Sequence, residues 1–283
     1  MILVQWNIQW CRGLDGKVDP QRIVETAKSF ADFDILCLQE VAVNFPALAG
    51  SVGEDQPFAL GKHLPQHEPV FAAATDVPGG HESRRRFGNM IFSRFPVQQV
   101  YRHTLPWPAH EGMPSMQRVA LEVVVQAPSG PLRIVTTHLE FYSDRQRAAQ
   151  VDRLRELYVE ACGHARAKPS DRYDSGPFQP FPRPASAILC GDFNMPKGPA
   201  DPDYARLAAP FADAPRLVDA WTVAHPGAAH PPSFCVHEQT HGHGPYCCDF
   251  VFVTEDLVPR LRSVRYDVDT KASDHQPVIV ELA

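Results

Sequence analysis

The sequence predicts an α/β fold in which two β-sheets pack face to face with helices outside them. Three observations carry that expectation. Short apolar runs closed by glycine, proline or a polar residue greatly outnumber helical patterns. The runs come as meanders interrupted by a few longer helical excursions, and stacked layers bury the apolar faces of such elements. No internal repeat and no Gly/Ser-rich linker divides the chain, so residues 1–283 read as one domain. A hydrophobic content of 44% is ample for its core.

Taken in order, residues 2–8 read as a strand that turns polar at Asn7. Asp19 caps a helix with Pro20 at its first position, and Ile23, Val24, Ala27, Phe30 and Ala31 form its apolar stripe. DILCLQEV, from Asp34, is a second buried strand with Glu40 at its end. The stretch around Gly50, Gly53, Pro57, Gly61 and Pro65 reads as loop or short helix. Residues 69–74 form a strand, and DVPGGHESRRR a hydrophilic loop after it. Strands at 89–92 and 97–104 flank SRFP, and 119–125 with 132–137 make a hairpin around APSGP. The longest helical pattern is 144–165, with Val151, Leu154, Leu157, Tyr158 and Ala161 on one side. In the proline-rich loop 169–184, Phe178 and Phe181 read first as packing under the loop, with base stacking or lipid contact as the functional alternative. AILCGDFNMP, 187–196, is a short buried strand closed by breakers. Residues 201–209 are helical, LVDAW follows, and 226–245 is irregular and carries His230, His237, His241 and His243. DFVFV, a strand near 261–266 and SDHQPVIVEL close the chain.

The net charge of −6 offers no basic footprint for sequence-independent nucleic-acid binding, although a local patch can sit on an acidic molecule. Seven cysteines, an odd number without a C-x-x-C pair, point to free thiols in a reducing compartment. MILVQWNIQW has neither a basic start nor a long apolar run. A cytoplasmic protein without stable membrane anchoring is therefore expected. Adjacent Cys247 and Cys248 point to opposite faces if extended, which favours packing over metal binding.

The chemistry concentrates at strand ends. In GDFN, alternation places Asp192 and Asn194 on one face, where a carboxylate and an amide can hold a water and steady a phosphate oxygen. Alone, the pair reads as a turn. Polar residues close at least five strand-like runs, however: Asn7, Glu40, His138, Asp192 with Asn194, and Asp274 with His275. Carboxylates gathered in partial burial need a metal or a counter-charge. An oxygen-rich set without a cysteine cluster suits Mg2+ or Mn2+ better than structural zinc.

QWN, LCLQE, GNMIFSRFP, TTHLE, GDFN, DFVFV and SDHQPV follow one another in the order found in the endonuclease/exonuclease/phosphatase superfamily. The sequence resembles that group, which includes pancreatic-type deoxyribonuclease, abasic-site endonucleases, neutral sphingomyelinases and inositol polyphosphate phosphatases, from Asn7 to His275. The resemblance implies an α/β four-layered sandwich, two packed mixed β-sheets flanked by helices. It implies Glu40 as principal ligand of Mg2+ or Mn2+, with Asn7 and Asp274 close to the ion or holding its water. Asp192 would position or deprotonate the attacking water, and Asn194 would hold a phosphate oxygen. His275 would contact the phosphate, with Asp249 fixing its orientation. His138 would stabilise the pentacovalent phosphorus, and Arg118, in MQRVALEV, would grip phosphate through its planar fork.

The implied reaction is in-line attack of water on a phosphoester. A nuclease on DNA or RNA is the favoured expectation. The alternative is a phosphatase or phosphodiesterase for a lipid head group or small phosphorylated metabolite. A non-catalytic binding module stands third, because every core position is present. Four departures bear on substrate. Gln9 stands where some relatives carry an acid, and Cys247 and Cys248 where nucleases often carry a basic residue. The histidine-rich loop 231–245 reads first as solvated surface, with reach over the site as the alternative. The run Arg84 to Arg86 reads first as a solvated face, with a phosphate grip as the alternative.

Overall fold

Alternation along the first strand sets the layering. In the computed structural model, residues 1–80, 83–168, 176–238 and 244–283 are described. In β1 (Ile2–Asn7), Leu3 joins the central core while Val4 and Trp6 join a separate outer one. The first sheet adds β2 (Ile35–Val43), β3 (Glu68–Gly80), β4 (Ser83–Ser93), β11 (Leu261–Tyr266) and β12 (Val278–Leu282), in the order β11-β12-β1-β2-β4-β3. The second comprises β5 (Val97–Thr104), β6 (Val119–Ala127), β7 (Gly130–His138), β8 (Ala187–Asp192), β9 (Leu217–Asp219) and β10 (Asp249–Thr254), in the order β5-β6-β7-β8-β10-β9. Both sheets are mixed: β1–β2 and β7–β8 run parallel, and their other pairings are antiparallel.

Between the sheets, Leu3, Ile35 and Cys37 meet Leu121, Ile134, Ile188 and Val251 in one apolar cluster. Helices α1 (Pro20–Phe30) and α2 (Gln56–Lys62) cover the outside of the first sheet, where Ile23, Ala27 and Leu60 pack on Trp6, Leu36 and Leu38. Helices α3 (Asp144–Arg166) and α4 (Pro202–Ala208) cover the second, with Val151, Leu154 and Leu207 against Leu189, Phe250 and Phe252. A short α5 (Ala220–Ala224) follows β9. The expected four layers are present. The cap of α1 is as the sequence suggests, Asp19 accepting from the Arg22 N–H, and the structure adds a second, Ser143 accepting from the Gln146 N–H ahead of α3.

Four polar contacts cross the seam at one end of the sandwich. Asn7 reaches Asp192, Gln5 reaches Asp249, Gln39 donates to Thr136 Oγ1 at 2.7 Å, and Asn89 donates to the Val119 carbonyl at 2.9 Å. Beside them, within the second sheet, Gly191 keeps β8 tight against β7. Its φ is +150°, and a Cβ there would lie 2.0 Å from the Thr137 carbonyl oxygen. Gly191→Ala is therefore expected to pry β8 from β7, destabilising by about 3 kcal/mol. Thermal melts should show a fall in Tm of roughly 6–12 °C, and an unchanged Tm would contradict the close approach.

The structure departs from the sequence reading in several places. Glu40 lies inside β2, at a bulge where Gln39 and Glu40 oppose the single residue Asn89. DVPGGHESRRR is chiefly strand, because β3 and β4 run on as an arm whose pairing continues from Thr75↔Phe87 to Gly80↔Ser83. Within it Arg84 is exposed and pairs with Asp76, while Arg85 and Arg86 are half-buried. Phe178 and Phe181 are exposed instead of packed under their loop. His230 is no surface residue: its side chain is buried and its Nε2 lies 2.7 Å from Asp219 Oδ2. His237 is exposed, while His241, His243, His81 and 169–175 lie outside the described residues. Cys247 and Cys248 join different apolar clusters, as alternation predicts, and all seven cysteines are unpaired and buried.

Candidate active site

Strand geometry delivers each polar side chain to the same end of the seam. Gln5 and Asn7 share the inner face of β1, two residues apart. A regular β2 would send Glu40 outward after Leu36 and Leu38, onto the helix-covered face. The bulge, with φ +60° at Glu40, shifts the alternation by one and turns the carboxylate into the cleft. From the second sheet, His138 ends β7, Asp192 ends β8 and Asp249 begins β10. Asp274 and His275 arrive on the turn before β12.

Asn7 is the central clasp. Its Nδ2 donates to Glu40 Oε1 at 3.1 Å and to Asp192 Oδ2 at 3.0 Å, and lies 3.4 Å from His275 Nε2. Asp192 Oδ1 accepts from the Asn194 N–H at 3.0 Å, so the pair does form a turn as well as lining the cleft. Asn194 lies beyond the strand with φ +51°, and one of its two amide protons is committed to the Leu139 carbonyl at 2.9 Å. Its place in the cleft therefore comes from a left-handed turn, whereas the sequence reading relied on strand alternation. His275 Nδ1 sits 2.8 Å from Asp249 Oδ2. Asp249 in turn accepts from Gln5 Nε2 at 2.7 Å and Ser233 Oγ at 2.8 Å, and Trp6 Nε1 donates to the His275 carbonyl. Phe234 covers the imidazole with ring centroids 4.6 Å apart.

These surroundings set opposite states for the two histidines. Burial works against charge on His275, but Asp249 and Asp192 outweigh it and push its pKa up to about 10. Burial, helped by the Arg118 guanidinium, drives His138 down to about 3. At neutral pH the site thus holds one imidazolium and one neutral imidazole, both near Asp192: His138 Nε2 at 3.5 Å and His275 Nε2 at 3.6 Å from Oδ2. Burial also works against an ionised Asp192, yet the histidines and the bonds from Asn7 and the Asn194 N–H hold it below its ordinary value. Burial and the neighbouring Asp274 push Glu40 up to about 7.

The cleft has a volume of about 260 Å³ and gathers Glu40, His138, Asp192, Asn194, Asp274, His275 and Arg118. Arg118 is anchored by Glu140, whose Oε2 lies 3.3 Å from Nε, while Nη1 is buried without a partner. Sequence reading missed Glu140, although it closes the quoted TTHLE. It also missed Gln5, Ser233 and the aromatic rim of Trp10, Phe141, Tyr142 and Phe234. Gln5 carried a usable signal, because it shares Asn7's face in a strand. Ser233 carried none, being a loop residue far from its partner in sequence. Gln9, Trp10 and Cys11 hold left-handed φ values of 44°, 43° and 62°, a conformation costing about 1–2 kcal/mol per residue. The turn is fixed from outside: Gln9 N donates to Asn7 Oδ1, Gln56 Nε2 to the Trp10 carbonyl, and Trp10 Nε1 to the Ala49 carbonyl. It brings Gln9 Nε2 to 2.6 Å from Asp274 Oδ2 and leaves Gln9 Oε1 buried and unpaired.

Two carboxylates facing each other, one raised towards neutrality, together with an orphaned amide oxygen, are what a hard divalent cation would relieve. Glu40 and Asp274, with Gln9 Oε1 beside them, therefore fit such an ion, whereas Asn7 turns its Nδ2 to the carboxylates and spends its Oδ1 on the Gln9 N–H. Asp192, Cys248 and His275 also bring potential ligand atoms within 4.8 Å of one another. That trio fits a hard ion poorly, since burial pushes the Cys248 thiol well up and His275 is held protonated.

An α/β sandwich of two six-stranded mixed sheets with a carboxylate–histidine cleft on its seam is the architecture of phosphoester hydrolases. The model of the Endonuclease/Exonuclease/phosphatase family matches residues 4–275, and the chain belongs to that family. An endonuclease/exonuclease/phosphatase from Beutenbergia cavernae superposes with a TM-score of 0.67 at 24% identity, covering 99% of this chain and 70% of its own. Mannosyl-6-phosphatase from Bacteroides thetaiotaomicron superposes at 0.67 and 18% identity, covering 100% and 99%. The TDP2 of D. rerio, complexed with a single-strand DNA product, gives 0.64 at 16% identity, covering 99% and 97%. These likenesses carry the fold. No curated protein sequence matches the chain. Among the described residues, no helix is long and apolar enough to cross a membrane.

Proposed function

We propose that the chain is a divalent-metal-dependent phosphodiesterase that hydrolyses DNA or RNA by in-line attack of water. The observation that carries this reading is the pairing of an ionised Asp192 with a charged His275 in the cleft that also holds Glu40 and Asp274. Mg2+ or Mn2+ held by Glu40 and Asp274 would offset charge on the phosphate oxygens. Asp192, with Oδ2 in the cleft, orients the water and accepts its proton. The remaining Asn194 amide proton and the neutral His138 imidazole donate to phosphate oxygens. His275, fixed through Asp249, supplies positive charge as the pentacovalent species forms. Arg118 presents its unpaired Nη1 to the phosphate. The aromatic rim and the single-strand DNA product bound by the D. rerio relative favour a nucleic-acid substrate.

A second reading, a phosphatase of small phosphorylated metabolites, is favoured by the net charge of −6 and by the fold shared with mannosyl-6-phosphatase. We infer a reducing, cytoplasmic setting from seven unpaired cysteines. The test is hydrolysis of single- and double-stranded DNA, abasic DNA, RNA, sphingomyelin, inositol phosphates and sugar phosphates with Mg2+ or Mn2+. Chelator should abolish activity. Glu40→Gln should raise the half-activating metal concentration by at least about 10–100-fold, the loss typical of outer partners alone. Turnover of sugar phosphates alone would select the second reading, and chelator-resistant turnover would reject both.

A further inference from the structure

The β3–β4 arm carries charge that the cleft does not account for. Alternation along β4 assigns its faces: Met90 and Phe92 join the outer core, whereas Ile91 joins the core between the sheets. Asn89, which donates to the Val119 carbonyl of the second sheet, shares the Ile91 face, and Phe87 and Arg85 follow on it. Opposite them, β3 sets Thr75 against Phe87 and Val77 against Arg85. Arg84 and Arg86 project the other way, where Asp76 pairs with Arg84.

This inner face leaves the sandwich at the catalytic end. Asn89 is the residue opposed by the Glu40 bulge, so each step from Asn89 towards Arg85 leads outward past Glu40. The strands of the second sheet go no further: β5, β7 and β8 stop at Thr104, His138 and Asp192, and β6 and β10 begin at Val119 and Asp249. β2 leaves the arm at Val43↔Arg86. Asn44 then braces it, its Nδ2 donating to Ser83 Oγ at 2.8 Å and to the Arg84 carbonyl at 3.3 Å. The ribbon beyond the cleft thus presents a half-exposed Phe87, supported by Phe45 with ring centroids 6.3 Å apart, and an exposed Val77. Among the described residues, Arg85 is the one charged side chain on that face beyond Asn89. It forms no ion pair there, and its Nε is enclosed without a partner. A free guanidinium beside an aromatic ring suits a backbone phosphate and an unpaired base. Four strand residues, ~13 Å, separate Asn89 from Arg85, so a small metabolite held at Glu40 does not reach it.

We propose that the inner face of the arm docks a single strand of nucleic acid beyond the scissile phosphate, with Arg85 on a backbone phosphate and Phe87 under a base. The inference rests on the phosphodiesterase reading of the cleft. The span of ~13 Å corresponds to about four nucleotides at the 3.4 Å spacing of a stacked strand, and to fewer in an extended one.

The test is fluorescence anisotropy of a labelled single-stranded DNA dodecamer in chelator across a salt series, beside hydrolysis of that dodecamer and of a dinucleotide with Mg2+. Arg85→Gln is expected to weaken dodecamer binding roughly 10-fold and to flatten the slope of log affinity against log salt by about 0.7. Dinucleotide turnover, which does not reach the arm, should stay at the wild-type rate. Phe87→Leu should weaken binding without changing the slope, and Arg84→Gln, on the outer face, should match wild type in both. Three results would overturn the docking surface: a wild type that does not bind the dodecamer, an affinity indifferent to Arg85→Gln, or equal losses from Arg84→Gln and Arg85→Gln. Dodecamer bound through Arg85 but never hydrolysed would uphold the arm and reject the phosphodiesterase reading.

Discussion

Replacing Asp192 with asparagine is expected to lower turnover by about 10³–10⁴-fold, the upper range for loss of a general base, with no change in fold. The shape is kept while the charge and one acceptor are lost. Wild-type Oδ2 accepts from Asn7 and Oδ1 from the Asn194 N–H, so an amide must turn its own NH2 towards one of these donors. The repulsion opens the clasp that joins the two sheets, and His275 loses one of the three carboxylates that keep it charged. Steady-state kinetics beside circular dichroism and a melting curve would separate chemistry from folding. Retention of more than about a tenth of wild-type turnover would place the base elsewhere.

The second large effect is expected from Asp249→Asn. Burial alone would depress the His275 pKa, and Asp249 is the foremost group opposing it, so the variant imidazole should titrate near or below its ordinary value. Wild-type turnover that depends on the imidazolium persists until pH approaches about 10. In the variant the alkaline limb moves below neutrality, turnover at pH 8 falls by about 10²-fold, and part of it returns on acidification. NMR titration of His275 together with the pH–rate profile reads both effects. The same pair contributes to stability: its contribution is complete below the unfolded histidine value near 6.5 and is lost as pH rises through about 10. An alkaline limb that does not move would mean that the His275 charge has no part in turnover.

What the sequence made legible follows the range of the interaction. Strand ends at Asn7, His138, Asp192 and Asp249 are written locally, in apolar runs that stop at a polar residue. The cap of α1 and the hairpin of β6 and β7 are local too, and they are present as expected. The bulge that turns Glu40 inward is different, because it exists only in the pairing of β2 with β4. The β3–β4 arm was hidden for the opposite reason: its outer half buries little, so no alternation of polar and apolar residues marks it as strand. His230 was hidden because its partner Asp219 comes from another element. Ser233 and Gln5, which fix Asp249, lie 16 and 244 residues from it, and a single sequence does not record such meetings.

The polar stitches across the seam give the catalytic assay a use apart from chemistry. Asn7 and Asp192, Gln5 and Asp249, and Gln39 and Thr136 each join strands of different sheets. Neither sheet owns a working half of the cleft, so turnover is a ruler for the spacing between layers. A lesion in the apolar packing far from the cleft would leave helix and strand content intact. It would still register as lost rate once the two sheets slid by a fraction of an ångström, well before any spectroscopic sign of unfolding.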